Sequence, residues 1–273
     1  MARCVVVLVD GLRPDAISRV HAPALRALGH DYTRALHATT VRPSVTVAAL
    51  ASLATGVSPA THGLVEPGLG FLGRLGTLRP FARELSKHRI PAIVVAGALA
   101  PRSRPVAWAL TACAGINLLA GPTDGAPRIA GQALRHLQRM PHGFAFVYLP
   151  DCDRAGHAHG WMSAPYLQAV RDVDDAVALL HVLLPDTLLI VLSDHGGGGV
   201  MPTDHDLPHP VNDWIPLILS GAGVRRHHTI TDPVSLLDVP PTVLEWLGVP
   251  VPGVYEGRVL TEAFAPSRHA AVA

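Results

Sequence analysis

Five short, near-continuous apolar runs rich in β-branched residues punctuate this chain: Cys4–Val9, Ile90–Ala96, Phe144–Leu149, Thr187–Leu192 and Ile215–Leu219. Strands with one wet face alternate apolar and polar residues, whereas these runs do not alternate, so both faces of each strand must be covered. Between them lie segments with helical periodicity: Ala22–Leu28, Val47–Ala54, Pro80–His88, Arg128–Arg139, Pro165–Leu184 and Val234–Leu247. In the fifth, Leu167, Val170, Val173, Val177 and Leu180 share one face, and Arg171, Asp172, Asp174 and Asp175 take the other. Alternation of this kind predicts an α/β fold, a mostly parallel central sheet with helices on both faces. No internal repeat is present. The Gly-, Pro- and Arg-containing stretches Glu66–Gly76 and Ala98–Pro105 read as loops, so residues 1–273 are expected to form one domain.

Composition narrows the function classes. The 22 basic and 21 acidic side chains nearly cancel, to a net charge of +1, and no dense Lys/Arg run exists. A polyanion would find no electrostatic footprint, so nucleic acid is not an expected partner. The three cysteines, Cys4, Cys113 and Cys152, are widely spaced and form no C-x-x-C pair, which fits a reducing compartment. The apolar run after Arg3 is too short for a signal peptide, and no stretch has the length and flanks of a membrane span; the expected location is cytoplasmic. Sixteen histidines make the chain rich in acid–base and metal-ligating groups.

Those groups are concentrated after strands. Asp10 follows the first run. Asp151, Asp153, His157 and His159 follow the third, and Asp194 and His195 the fourth. In open parallel sheets, ligands bind beyond the carboxyl ends of the strands, so three clusters of oxygen and nitrogen donors should meet at one rim. Carboxylates combined with imidazoles suit Zn²⁺, Mn²⁺ or a similar divalent ion. The run Gly196–Gly199 would either allow a sharp bend or bring backbone close to a ligand.

In order along the chain come V-V-L-V-D-G-L-R-P-D around Asp10, P-S-V-T-V-A-A-L-A-S-L-A-T-G-V-S-P-A-T-H-G around Thr46, D-R-A-G-H-A-H-G from Asp153, and S-D-H-G around Asp194. Together they resemble the type I phosphodiesterase/nucleotide pyrophosphatase branch of the alkaline phosphatase superfamily, over nearly the whole chain. The resemblance implies an alkaline phosphatase-like fold in a minimal form without a cap domain. It also implies two divalent ions, zinc first and manganese or iron as alternatives. Asp10, Asp194 and His195 would hold one ion, which also contacts the nucleophile. Asp153 and His157 would hold the other with a further histidine. That histidine is His205 by its spacing to Pro210 and Pro216, or His209 by the H-x-x-N pattern with Asn212 seen in cofactor-independent phosphoglycerate mutases. The nucleophile precedes the threonine of the T-G-x-x-P segment, Thr55, by nine residues and is therefore Thr46; Thr39 and Thr40 have the wrong spacing. His37, His62 and His159 read as structural or surface residues, and Asp151 and Asp204 as either imidazole-orienting or turn residues.

The implied reaction is two-step hydrolysis of a phosphoric ester, monoester or diester, through a phospho-threonine, with a small phosphorylated substrate. One departure stands out: characterised nucleotide pyrophosphatases place a phosphoryl-binding asparagine three residues after the nucleophile, where this chain has Ala49. Arg42 or Arg13 would have to replace that donor. Thr46 followed by V-A-A does not fit the C/S-x-P-S-R segment of sulfatases. A phosphonate hydrolase, and a metal-binding pseudoenzyme, are the alternatives.

Overall fold

The computed structural model describes residues 2–35, 37–66, 78–97, 116–120, 125–183 and 186–265. The expected loops, beyond Glu66 in the first, lie outside the described residues, as do Cys113 and the Leu184 end of the fifth expected helix.

The strands are β1 (Arg3–Val9), β2 (Thr33–Ala35), β3 (Ala38–Thr39), β4 (Ala92–Ala96), β5 (Asn117–Ala120), β6 (Gly143–Leu149), β7 (Thr187–Leu192), β8 (Trp214–Ile215), β9 (Leu217–Ser220), β10 (His228–Ile230) and β11 (Val234–Ser235). Eight form a sheet in the order β10-β2-β9-β7-β1-β6-β4-β5, in which β7, β1, β6, β4 and β5 are mutually parallel. The rest make a small sheet, β11-β3-β8. The helices are α1 (Pro14–Arg19), α2 (Pro23–Asp31), α3 (Thr46–Thr55), α4 (Pro59–His62), α5 (Phe81–Lys87), α6 (Ala126–Leu137), α7 (Asp151–His159), α8 (Ala164–Leu183), α9 (Pro210–Asp213) and α10 (Val239–Trp246). Among the described residues, no helix is long and apolar enough to cross a membrane.

The unbroken apolar character of β1 has a direct structural cause. Val5, Val7 and Val9 point into a core shared with α2, α6 and α8, while Cys4, Val6 and Leu8 point into a second core with α3, α5 and α10. A strand buried on both faces has no position for a polar side chain. The register sets Val9 beside Leu149 of β6 and Leu8 beside Leu192 of β7, so these three strands end at one level. Whatever follows each strand emerges at the same rim.

Three expectations need correction. The run Ile215–Leu219 is not one strand: Pro216, lacking an N–H, separates β8 in the small sheet from β9, which pairs antiparallel with β7. The expected helix Val234–Leu247 begins as β11 and a 3₁₀ turn over Leu236–Asp238, closed by a capping box between Ser235 and Asp238; α10 starts only at Val239. Asp174 does not face solvent. It is buried and accepts the Ala24 and Leu25 backbone N–H groups at 3.1 and 2.7 Å, satisfying the exposed amides at the start of α2.

Candidate functional site

The rim is assembled from backbone first. The Asp10 N–H donates to Leu149 O and the Asp153 N–H donates to Asp10 O, each at 2.9 Å, so the end of β1 is stitched to the end of β6 and to the first turn of α7. Gly11 has φ +69°, and a Cβ there would lie 2.9 Å from the Asp153 Cα. Only glycine permits both the left-handed turn and that approach. Its N–H donates to Asp194 Oδ1 at 3.2 Å, which also accepts the His195 N–H at 3.0 Å, and the end of β7 is thereby tied in.

Side chains then converge from the ends of β1 and β7, from α3 and α7, and from the segment before α9. Asp153 and His157, one helical turn apart on α7, face the same way, with His157 Nε2 3.3 Å from Asp153 Oδ1. His195 Nε2 lies 3.1 Å from Thr46 Oγ1, 3.3 Å from Asp10 Oδ1 and 3.7 Å from Asp194 Oδ2. Thr46 is the first residue of α3, and its hydroxyl meets the His195 ring of this cluster. His205, from the segment before α9, stacks on His195 with ring centroids 3.8 Å apart and sets Nε2 3.7 Å from Asp153 Oδ1.

The three imidazoles share one arrangement. His157 Nδ1 donates to Thr203 O at 2.9 Å, His195 Nδ1 to Gly196 O at 2.7 Å, and His205 Nδ1 to Ser44 O at 3.0 Å. A carbonyl only accepts, so each Nδ1 carries hydrogen and each Nε2 is the nitrogen presented to the cluster. Metal-ligating histidines are held by this kind of outer hydrogen bond. Opposite them, Asp10 Oδ1, Asp153 Oδ1 and Asp194 Oδ2 are buried carboxylate oxygens with no hydrogen-bond partner. Buried unpaired acceptors are costly, and a cation is the group that would satisfy several at once. Donor atoms of Asp10, Asp194 and His195, and of Asp153, His195 and His205, lie within 4.8 Å of one another.

Electrostatics follow from this crowding. Burial pushes the Asp10 carboxyl up, but the His195 ring and the Tyr148 hydroxyl outweigh it and hold the group below the usual carboxylate range. Asp194 rises well above that range through burial and the Asp10 charge, and Asp153 is raised to about 6 by the same two causes. Burial lowers His195, yet Asp194 and Asp10 reverse the effect and lift it to about 10. His205 falls to about 4 through burial and the neighbouring His195. The carboxylates of Asp194 and Asp10 thus favour positive charge beside His195.

Other sequence candidates have different positions. His209 is not brought into the cluster: its Nδ1 accepts the Val211 N–H at 3.2 Å as the cap of α9. Asn212 donates to His205 O and Leu207 O at 3.0 and 2.8 Å, shaping the segment that carries His205. Asp151 accepts the Ala126 N–H at the start of α6, and Asp204 accepts the His205 and Asp206 amides in a turn. Thr39 lies in β3, and the Thr40 N–H donates to Asp213 O. His62 is buried and its Nε2 is 3.0 Å from Ser52 Oγ, joining α4 to α3, whereas His37 and His159 are exposed. Ala49 is fully buried in the core beneath α3. Arg42 pairs with Asp213, and Arg13 is engaged by Asp15 and by Gly197 O.

Two residues that pattern reading passed over shape the site. Tyr148, the penultimate residue of β6, donates its hydroxyl to Asp10 Oδ2. Trp161 donates Nε1–H to Gly11 O at 2.9 Å and fills the space beside the glycine run. A Cβ at Gly197 would lie 2.1 Å from the Trp161 ring, and one at Gly196 1.9 Å from Val211 O. Those glycines are required by close packing of protein on protein. A polar-tipped aromatic one residue before the end of an otherwise apolar strand was the available signal for Tyr148; for Trp161 there was none.

A family model described as type I phosphodiesterase/nucleotide pyrophosphatase matches residues 4–69 and 117–239. A 2,3-bisphosphoglycerate-independent phosphoglycerate mutase from Antithamnion sp. is 27% identical over 144 residues, 51% of this chain and 28% of the mutase. A multifunctional alkaline phosphatase superfamily protein from Trinickia caryophylli is 33% identical over 120 residues, 39% of this chain and 23% of that protein. The matches thus span only about a quarter of these relatives. Among solved structures, the phosphonate monoester hydrolase from Silicibacter pomeroyi superposes with a TM-score of 0.74 at 17% identity, covering 98% of this chain and 78% of that one. Murine ectonucleotide pyrophosphatase/phosphodiesterase 5, an inactive form in complex with AMP, gives 0.75 at 14% identity, covering 97% and 100%. At these identities the structural likeness speaks for the fold.

Proposed function

Because the chain belongs to the type I phosphodiesterase/nucleotide pyrophosphatase family of the alkaline phosphatase superfamily, we propose that it is a two-metal hydrolase of small phosphoric esters with Thr46 as nucleophile. The observation that carries this reading is the placement of the Thr46 hydroxyl 3.1 Å from His195 Nε2, beside three buried carboxylate oxygens without partners. The residues fit one ion held by Asp10, Thr46, Asp194 and His195, and a second held by Asp153, His157 and His205. His209 is assigned to capping α9. Oxygen and nitrogen donors suit zinc first, with manganese or iron as alternatives.

Bound divalent ions would supply Lewis acidity, lowering the pKa of a hydroxyl and offsetting charge on the phosphoryl oxygens. The chain does the rest. Thr46 Oγ1 gives up its proton and attacks phosphorus while the ester oxygen leaves on the opposite side and takes up a proton; water then attacks the phospho-threonine, its oxygen bonding to phosphorus and one of its protons returning to Thr46 Oγ1, with release of phosphate or a monoester. Two in-line displacements give net retention at phosphorus. The amides at the start of α3 face the phosphoryl group alongside Thr46 and favour negative charge there. With Ala49 buried, and Arg42 and Arg13 paired elsewhere, this cradle lacks the side-chain amide of characterised pyrophosphatases, which favours simple esters over dinucleotides.

The test begins with metal-free protein titrated with Zn²⁺ or Mn²⁺, following p-nitrophenyl phosphate, bis-p-nitrophenyl phosphate and an aryl phosphonate monoester. Metal-dependent turnover that falls at least about 10³-fold in Thr46→Ala, with metal binding retained, supports the proposal. Preference for the phosphonate would make it a phosphonate hydrolase. Tight binding of two metals with no turnover on any ester would leave a pseudoenzyme.

A further inference from the structure

A second group of metal-compatible side chains lies apart from the rim. His30 and Asp31 end α2, and His227 immediately precedes β10, the edge strand, three places removed from β7 in the sheet. One ring nitrogen from each imidazole and one Asp31 carboxylate oxygen all lie within 4.8 Å of one another. The two rings meet edge to face with centroids 5.3 Å apart. His30 and His227 are exposed and Asp31 half-buried, so a cation could enter from solvent and keep water in its remaining positions.

Backbone fixes this arrangement. His227 has φ +49°, an unusual conformation for a residue with a side chain, and is held in it by its N–H donating to Asp31 O at 3.1 Å. Its Nδ1 lies 3.1 Å from His30 O and must donate to that carbonyl, leaving Nε2 as the nitrogen with a free lone pair. That is the outer hydrogen bond a ligating imidazole uses, formed here by a residue of the same cluster. His30 Nδ1 lies 2.9 Å from Asp31 Oδ1, and this hydrogen bond outweighs burial and holds the carboxyl below its ordinary range. Arg226, whose charge acts on Asp31, is stacked over the Tyr32 ring at 4.2 Å. Two imidazoles and a carboxylate with open positions suit a borderline divalent ion such as Zn²⁺.

We propose that His30, Asp31 and His227 form an exchangeable surface site for a divalent transition-metal ion, which clamps the end of α2 to the edge strand β10. The site is independent of the catalytic reading above.

Calorimetric titration of the metal-free protein with Zn²⁺ tests it. The wild type should bind one equivalent more than the His30→Gln/His227→Asn double variant, whose ester hydrolysis stays unchanged. The reverse comparison separates the two sites: an Asp10→Asn/Asp153→Asn protein should lose the rim equivalents and keep one, and adding His227→Asn or Asp31→Asn should abolish it. Equal stoichiometry in the wild type and the His30→Gln/His227→Asn variant would overturn the proposal. So would an Asp10→Asn/Asp153→Asn protein that binds no zinc while remaining folded by circular dichroism.

Discussion

The hydroxyl of Tyr148, one residue from the end of β6, donates to the carboxylate of Asp10, which follows the neighbouring strand β1. Asp10 Oδ2 is thereby satisfied, and Oδ1 is left as the oxygen facing His195 and the cluster. Tyr148→Phe removes the donor without changing the packed ring. Under the two-metal reading, affinity for the rim cation should fall about 10- to 100-fold, as when other outer-sphere partners are removed. Competition with a chelator of known strength measures this, and an unchanged affinity would make the hydrogen bond incidental.

Acid should strip the proposed metals in a defined range. The Asp153 carboxyl is raised to about 6, so below that value a proton occupies the oxygen a cation needs. His205, lowered to about 4, is already neutral there and does not compete. Retention of the cation assigned to Asp153, His157 and His205 is therefore expected to weaken as pH falls through about 6. Equilibrium dialysis at pH 5 and 7.5 checks the direction, and equal retention at both would contradict it.

Gly197→Ala should destabilise the fold, because its Cβ would sit 2.1 Å from the Trp161 ring. Overpacking of this kind costs about 1–3 kcal/mol, hence several degrees in Tm. Gly253→Ala, where the added Cβ meets nothing within 4 Å and φ is ordinary, is the matched control and should lie within about 0.5 kcal/mol of wild type. If both variants melt together, Trp161 is not what the glycine run accommodates.

Ala49→Asn would restore the amide found three residues after the nucleophile in characterised pyrophosphatases. Ala49 is fully buried among apolar side chains, so the substitution should cost about 1–3 kcal/mol and raise no hydrolytic rate. Urea unfolding and turnover of bis-p-nitrophenyl phosphate report the two effects. A variant that is both stable and faster would place residue 49 against the substrate.

Sequence pattern carried the frame because the frame is local. The apolar runs of β1, β4, β6 and β7 are unbroken since both faces of a central strand are covered, and the acids and histidines after them fall at the rim wherever parallel strands end in register. Pattern failed where a partner distant in the chain decides the outcome. Asp174 sits on the polar side of a helix by periodicity, yet the amides of α2, about 150 residues earlier, take it inside. Pro216 split a strand that composition had joined, and the Ser235–Asp238 capping box delayed α10.

The sequence by itself pointed to the residues proposed to bear the chemistry: strand ends to Asp10, Asp153, His157, Asp194 and His195, and the family resemblance to Thr46. Only the tertiary structure distinguished His205 from His209, gave Tyr148 and Trp161 their parts, and brought His30, Asp31 and His227 together. Hydrogen bonds and packing between segments far apart in the chain leave no trace in spacing, because neither partner's residue type depends on its neighbours in sequence.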